Sequence, residues 1–138
     1  MVFEDGSLVD WRIFQHARSE LASDFPRILG YFREDGVKSL NSIEEAMRAL
    51  NAAAMVVPAH TLKGDSSMFG AMPLATLAEA IEDIARLCLE AQETPGEALE
   101  YVAALRPLFV RTLALLEREI SPLLVERRPA MVFGRRML

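Results

Sequence analysis

One stretch of this chain concentrates the residue types that do chemistry: Ala59-His60-Thr61-Leu62-Lys63-Gly64-Asp65-Ser66-Ser67-Met68-Phe69-Gly70. On a helix at about 100° per residue, with His60 as origin, Lys63 falls at about −60°, Gly64 at about +40° and Ser67 at about −20°. One face then offers an imidazole, an ammonium, a position without a side chain and a hydroxyl. Neutral imidazole is a competent nitrogen nucleophile near neutral pH. Phosphoryl transfer to such a nitrogen needs in-line access and compensation for charge on the non-bridging oxygens. Gly64, one turn beyond His60, clears room for an approaching group, and Lys63 supplies a point charge. Geometry alone leaves plainer readings open: a helical histidine is commonly an ordinary residue, a glycine can serve close helix packing, and a lysine can be a solvated charge.

The neighbours of His60 refine this face. Val56 projects to about −40°, Val57 to about +60° and Met68 to about +80°, which would make an apolar docking patch around the imidazole. The competing reading turns the valines into the core through a bend at Pro58. That proline removes an N–H and crowds the carbonyl of Ala54, so the helix either kinks there or begins its regular part there. Asp65, at about 140°, points away from His60. Met55, Leu62, Ser66 and Phe69 fall on the opposite side and are expected in the core.

The elements that must position this face are helical almost throughout. Leu8, Trp11, Phe14 and Leu21 mark a first helix. Asp24 is placed to cap a second, long helix whose stripe reads Phe25, Ile28, Leu29, Phe32, Gly36, Leu40, Ile43, Met47, Leu50. A bend or interruption is expected near Gly36. A third segment spans about Asn51 to Phe69, Gly70 is its stop, and Pro73 opens a fourth helix that runs to about Ala91. A fifth carries Leu99, Val102, Leu105, Leu108 or Phe109, Thr112 and Leu115 or Leu116 to Ile120, with Pro107 inside it. No strand-like alternation or repeat competes. The expected fold is all-α: an antiparallel four-helix bundle over residues 24–120, an additional N-terminal helical segment over 1–23, and a basic tail over 121–138.

Composition narrows the function classes. The 138 residues are 51% hydrophobic and 25% charged, with 15 Lys+Arg against 20 Asp+Glu. A net charge of −5 argues against nucleic acid as a partner, which calls for a basic face. Residues 1–120 hold 11 basic and 19 acidic side chains, whereas 121–138 hold four arginines and one acid. That tail reads as a solubilising, partly disordered terminus or as an arm for an acidic surface. The lone Cys88 forms no internal disulfide or Cys-based zinc site, so a reducing cytoplasm is expected. No secretory signal is visible at Met1-Val2-Phe3-Glu4-Asp5, and the longest charge-free stretch, Ala49–Leu62, falls short of the ~20 residues of a membrane span. A soluble protein is expected.

The run His60-Thr61-Leu62-Lys63-Gly64, followed by Gly70-Ala71, Leu74, Leu77 and Ile81-Glu82, resembles the histidine-containing phosphotransfer (HPt) domain family. The family pattern is a histidine-x-leucine-lysine-glycine box, a glycine ten positions after the histidine, and a downstream leucine-glutamate, here with Ile81 for leucine. Asn51 stands where the family often has aspartate, and Val56 and Val57 where it is commonly polar. Asp65 replaces a usually small or hydroxyl residue. The resemblance covers about residues 24–120. It implies a phosphocarrier in a two-component phosphorelay, without a kinase domain of its own, exchanging a phosphoryl group with aspartates of response-regulator receiver domains. His60 would be the phosphorylated residue, with Lys63, Gly64 and Ser67 its supporting neighbours and Val56, Val57 and Met68 its docking surface. Partners would be receiver domains and a hybrid histidine kinase. No cofactor or metal of its own is expected, since the receiver supplies the divalent metal, and a monomer is expected.

Three other readings compete for these residues. A kinase dimerisation helix usually has an acid after its histidine, where Thr61 stands, and no Gly-rich nucleotide site follows. A metal-carboxylate bundle calls for Glu-x-x-His pairs, but residues 57–60 are Val-Pro-Ala-His and 13–16 are Ile-Phe-Gln-His. His16 reads as structural or superficial. The remaining alternative is a helical interaction module that binds a receiver or kinase without transferring phosphate.

Overall fold

The computed structural model describes residues 8–136, with side-chain surroundings for residues 8–120. Five α-helices follow in order: α1 (Trp11–Leu21), α2 (Phe25–Arg48), α3 (Ala52–Met68), α4 (Met72–Ala91) and α5 (Leu99–Arg136). Short 3-10 turns at Ala22–Asp24 and Gly96–Ala98 lead into α2 and α5. Helix α3 packs between α2 and α4, and α5 packs on those same two helices to close the bundle. The side of α3 away from the core is left open.

Each end of α3 is set by local chemistry. Asn51, in extended conformation, accepts the Ala54 N–H at 3.1 Å and caps the start. The helix therefore begins before Pro58 and runs through it. At the far end Gly70 has φ +80°, and its carbonyl accepts the Asp10 N–H at 2.8 Å. A Cβ at Gly70 would overlap the Asp10 carbonyl oxygen, so both backbone conformation and close approach require glycine. Asp10 in turn caps α1 by accepting the N–H groups of Arg12 and Ile13. The N-terminal helix is thus stitched to the end of α3.

A line of aromatic contacts ties the layers together. Phe14 of α1 meets Phe25 edge-on at 5.3 Å, Phe25 meets Phe69 at 5.8 Å, and Phe32 meets both Phe69 and Phe109 at 5.3 and 5.6 Å. Such pairs contribute about 0.5–1.5 kcal/mol each beyond area burial. On the outside, Arg106 of α5 grips Glu44 of α2 through Nε and Nη2 at 2.9 Å each and reaches Asn41 at 2.8 Å.

Three expectations change. Asp24 makes no capping bond: its backbone is helical because the 3-10 turn runs straight into α2, and its carboxylate pairs with Arg27 at 2.9 Å instead. Gly36 does not interrupt α2. It lies buried where the Phe109 ring crosses, and a Cβ there would overlap that ring. Finally, α5 does not stop at Ile120 but continues to Arg136. The surroundings of the basic side chains expected to form a tail over 121–138 lie outside the described residues.

Candidate functional site

His60 stands at the middle of α3 with its side chain 61% exposed. Its Nδ1 lies 3.0 Å from Oε2 of Glu82 on α4, a residue the fold buries to 5% side-chain exposure. The same carboxylate receives Lys63 Nζ at 3.0 Å on Oε1, and Arg86 through Nε at 2.9 Å and Nη2 at 2.7 Å on Oε2. Burial pushes the Glu82 carboxyl up, but hydrogen bonds from Arg86, Lys63 and His60 outweigh it and hold the group at about 2. Glu82 is therefore a carboxylate at neutral pH. As a carboxylate it only accepts, so the facing Nδ1 must carry the proton. In the neutral ring, Nε2 then presents its lone pair on the exposed side.

The other expected site residues differ in exposure and in what they touch. Gly64 is exposed, and a Cβ built there meets nothing within 4 Å. Helix packing does not require this glycine, because a side chain there would meet only open space. Lys63 is only 29% exposed and also lies 3.9 Å from Glu79, so its charge is fixed along the α4 edge. The Ser67 hydroxyl donates to the Lys63 carbonyl at 2.9 Å, within its own helix. Val57 is 70% exposed and Met68 49% exposed. Val56, by contrast, is 9% exposed and packs in the core, which removes it from the docking surface. The remaining exposed positions of this face, Ala53, Ala54, Thr61 and Gly64, carry no charge.

Asp65 lies on the other edge of α3, toward α2. Burial, then the neighbouring Asp35, pushes its carboxyl above the ordinary range. His16 is exposed on α1, apart from the site. Among the described residues no group of three or more His, Cys, Asp or Glu side chains could hold a metal ion. No described helix is long and apolar enough to cross a membrane.

The model of the Hpt domain matches residues 27–121. The chain belongs to the Hpt domain family. It also resembles the crystal structure of histidine-containing phosphotransfer protein B (HptB) from Pseudomonas aeruginosa PAO1, with a TM-score of 0.73 and 26% identity. That match covers 83% of this chain and 96% of the other. No curated protein matches. The chain is thus a histidine phosphotransfer protein of a phosphorelay, a family of phosphocarriers whose partners are receiver domains and kinases.

Glu82 is the residue in contact with His60 that the helical projection of α3 could not reach. It enters the HPt pattern through Ile81-Glu82, and a glutamate between the buried residues Ile81 and Ala85 is the signal that would have found it.

Proposed function

We propose that His60 Nε2 is the atom that takes up and gives back the phosphoryl group. The observation that carries this reading is the 3.0 Å contact between Nδ1 and the Glu82 carboxylate, which leaves Nε2 unprotonated and outward. In the forward step the Nε2 lone pair attacks the phosphorus of an aspartyl phosphate on a receiver domain. A P–N bond forms as the P–O bond to the aspartate breaks, and the carboxylate leaves with the bonding pair. The ring becomes cationic while the proton stays on Nδ1, which donates to Glu82, and the negative charge of that carboxylate steadies the ring. The reverse step returns the phosphoryl group to a second receiver's aspartate.

Lys63 and Arg86, both held on the Glu82 carboxylate, keep positive charge on the α4 side of the imidazole, and the Ser67 hydroxyl holds the turn behind Lys63. Gly64 gives access, and Val57 and Met68 form the apolar part of the docking face. The chain supplies no catalytic metal in this reading; a divalent ion, where one is needed, would be held by the receiver and would supply charge stabilisation for the phosphoryl group. It acts as a monomeric, cytoplasmic carrier, not as a kinase, a placement that fits its single, buried Cys88.

The test is to incubate the chain with each purified, phosphorylated receiver domain of its source organism. Acid-labile label should appear on the chain and be lost in His60→Gln. Label that persists in that variant, or resists acid, rejects the assignment to His60. Absence of label with every receiver rejects transfer altogether and leaves a module that only binds.

A further inference from the structure

The docking face described above ends at Met68, but the exposed surface does not. Between α2 and α3 lies a half-open groove of about 150 Å³. Its lips are two exposed apolar side chains, Met68 of α3 and Tyr31 of α2, the latter 47% exposed. Ile28, Phe32 and Phe69 form its floor, and Asp35 and Asp65 stand at its rim. Gly64 and Met68 make it continuous with the uncharged face around His60.

We propose that this groove seats a lysine or arginine side chain of the receiver domain that docks over His60. The inference rests on the carrier reading and adds to it where the partner is held and by what chemistry. Among the described residues, neither Asp35 nor Asp65 forms an ion pair, although acids elsewhere on the bundle do. Arg27, the cation over the Tyr31 ring at 5.8 Å, is engaged by Asp24 at 2.9 Å. Two like charges thus border an apolar slot with no counter-ion among the described residues. Lysine and arginine match both halves of it: an apolar stem for Ile28, Tyr31 and Met68, and a cationic head for the two carboxylates. The raised Asp65 carboxyl supports the same reading, because its charge is unfavourable in the isolated protein and becomes favourable when a cation arrives. A groove beside the reactive histidine that gains from the partner's charge favours association and selects among receivers.

The test compares the full chain with Asp35→Asn/Asp65→Asn in transfer from each phosphorylated receiver that labels His60. Neutralisation removes a repulsion, so the variant should fold at least as well, which a thermal melt verifies. For the preferred receiver, KM should rise about fivefold at about 50 mM salt with kcat unchanged, and the gap should close near 500 mM. Glu93→Gln/Glu100→Gln, which removes the same charge elsewhere, should leave KM alone. A KM within about twofold of wild type for every receiver overturns the groove while the carrier reading stands. An equal rise in the control overturns it too, because a general field would then be the cause. If wild-type chain takes label from no receiver, the carrier reading and this inference fall together.

Discussion

Acidic side chains border both edges of α3, and the two edges treat that charge in opposite ways. Toward α4, the carboxylate of Glu82 is buried and met by His60, Lys63 and Arg86. Toward α2, Asp35 and Asp65 face each other across an apolar groove with no cation from the described fold. The first edge is electrically closed, so it fixes the geometry of the imidazole before any partner arrives. The second is open, so its balance is completed by whatever docks. Orientation of the nucleophile and recognition of the partner are thereby placed on different helices, and His60 stands between them.

The largest way to break this contrast is at Glu82. Glu82→Gln removes the charge while keeping the shape, leaving Lys63 and Arg86 without their buried anion. We expect about 2–4 kcal/mol of lost stability, less than for a fully buried set because both cations are partly exposed. Acid should reproduce the loss. The group sits at about 2 in the fold against an ordinary 4.5, so its contribution is complete above about 4.5 and disappears as pH falls toward 2. The amount is of order 3 kcal/mol. Chemical denaturation from pH 7 to 2, monitored by circular dichroism, should show that component in wild type and not in the variant. Equal slopes in the two would mean that Glu82 is not held low. Transfer should also slow, because the amide no longer dictates which ring nitrogen keeps the proton.

The reason Glu82 escaped the helical projection is instructive. His60, Lys63, Gly64 and Ser67 share a face within one helical period, which the chain spells out locally. The Glu82 contact spans 22 positions and depends on the register between α3 and α4, set by the turn at Phe69–Ala71 around Gly70. A projection cannot supply that register. Val56 and Val57 show a related limit. Both project near His60, but α3 is flanked by α4 on the side of Lys63 and by α2 on the side of Asp65. Only the sector between stays open, and Val57 lies in it while Val56 falls under the packed edge. The helices themselves were legible because apolar spacing marks them. Gly36 looked like a breaker because nothing in its own helix announces the Phe109 ring that fills its place.

That pair of glycines offers the next test. Both interrupt good helix formers, yet only Gly36 has a neighbour where a Cβ would go. Gly36→Ala should destabilise by about 1–3 kcal/mol as the Phe109 ring is displaced. Gly64→Ala should do the reverse, stabilising by about 0.5–1 kcal/mol, while slowing phosphoryl transfer about tenfold by narrowing the approach to Nε2. Thermal melts and single-turnover transfer separate the two. Unaltered transfer in a stabilised Gly64→Ala would show that access is not what this glycine provides.

The smallest effect probes the open edge in the absence of any partner. Asp65 is held above the ordinary carboxylate range by burial and by Asp35, so the folded state binds its proton more readily than the unfolded chain does. Its charge therefore costs stability at neutral pH, and the cost fades as pH falls through its raised value. Asp65→Asn should accordingly raise the melting midpoint at pH 7, by no more than about 0.5 kcal/mol in stability, and the gain should shrink in mild acid. The Glu82 variant moves the opposite way over the acid range, since removing a favourable charge and removing an unfavourable one have opposite signs. A loss of stability in Asp65→Asn would mean that the fold already provides Asp65 with a partner, and the difference between the two edges of α3 would vanish with it.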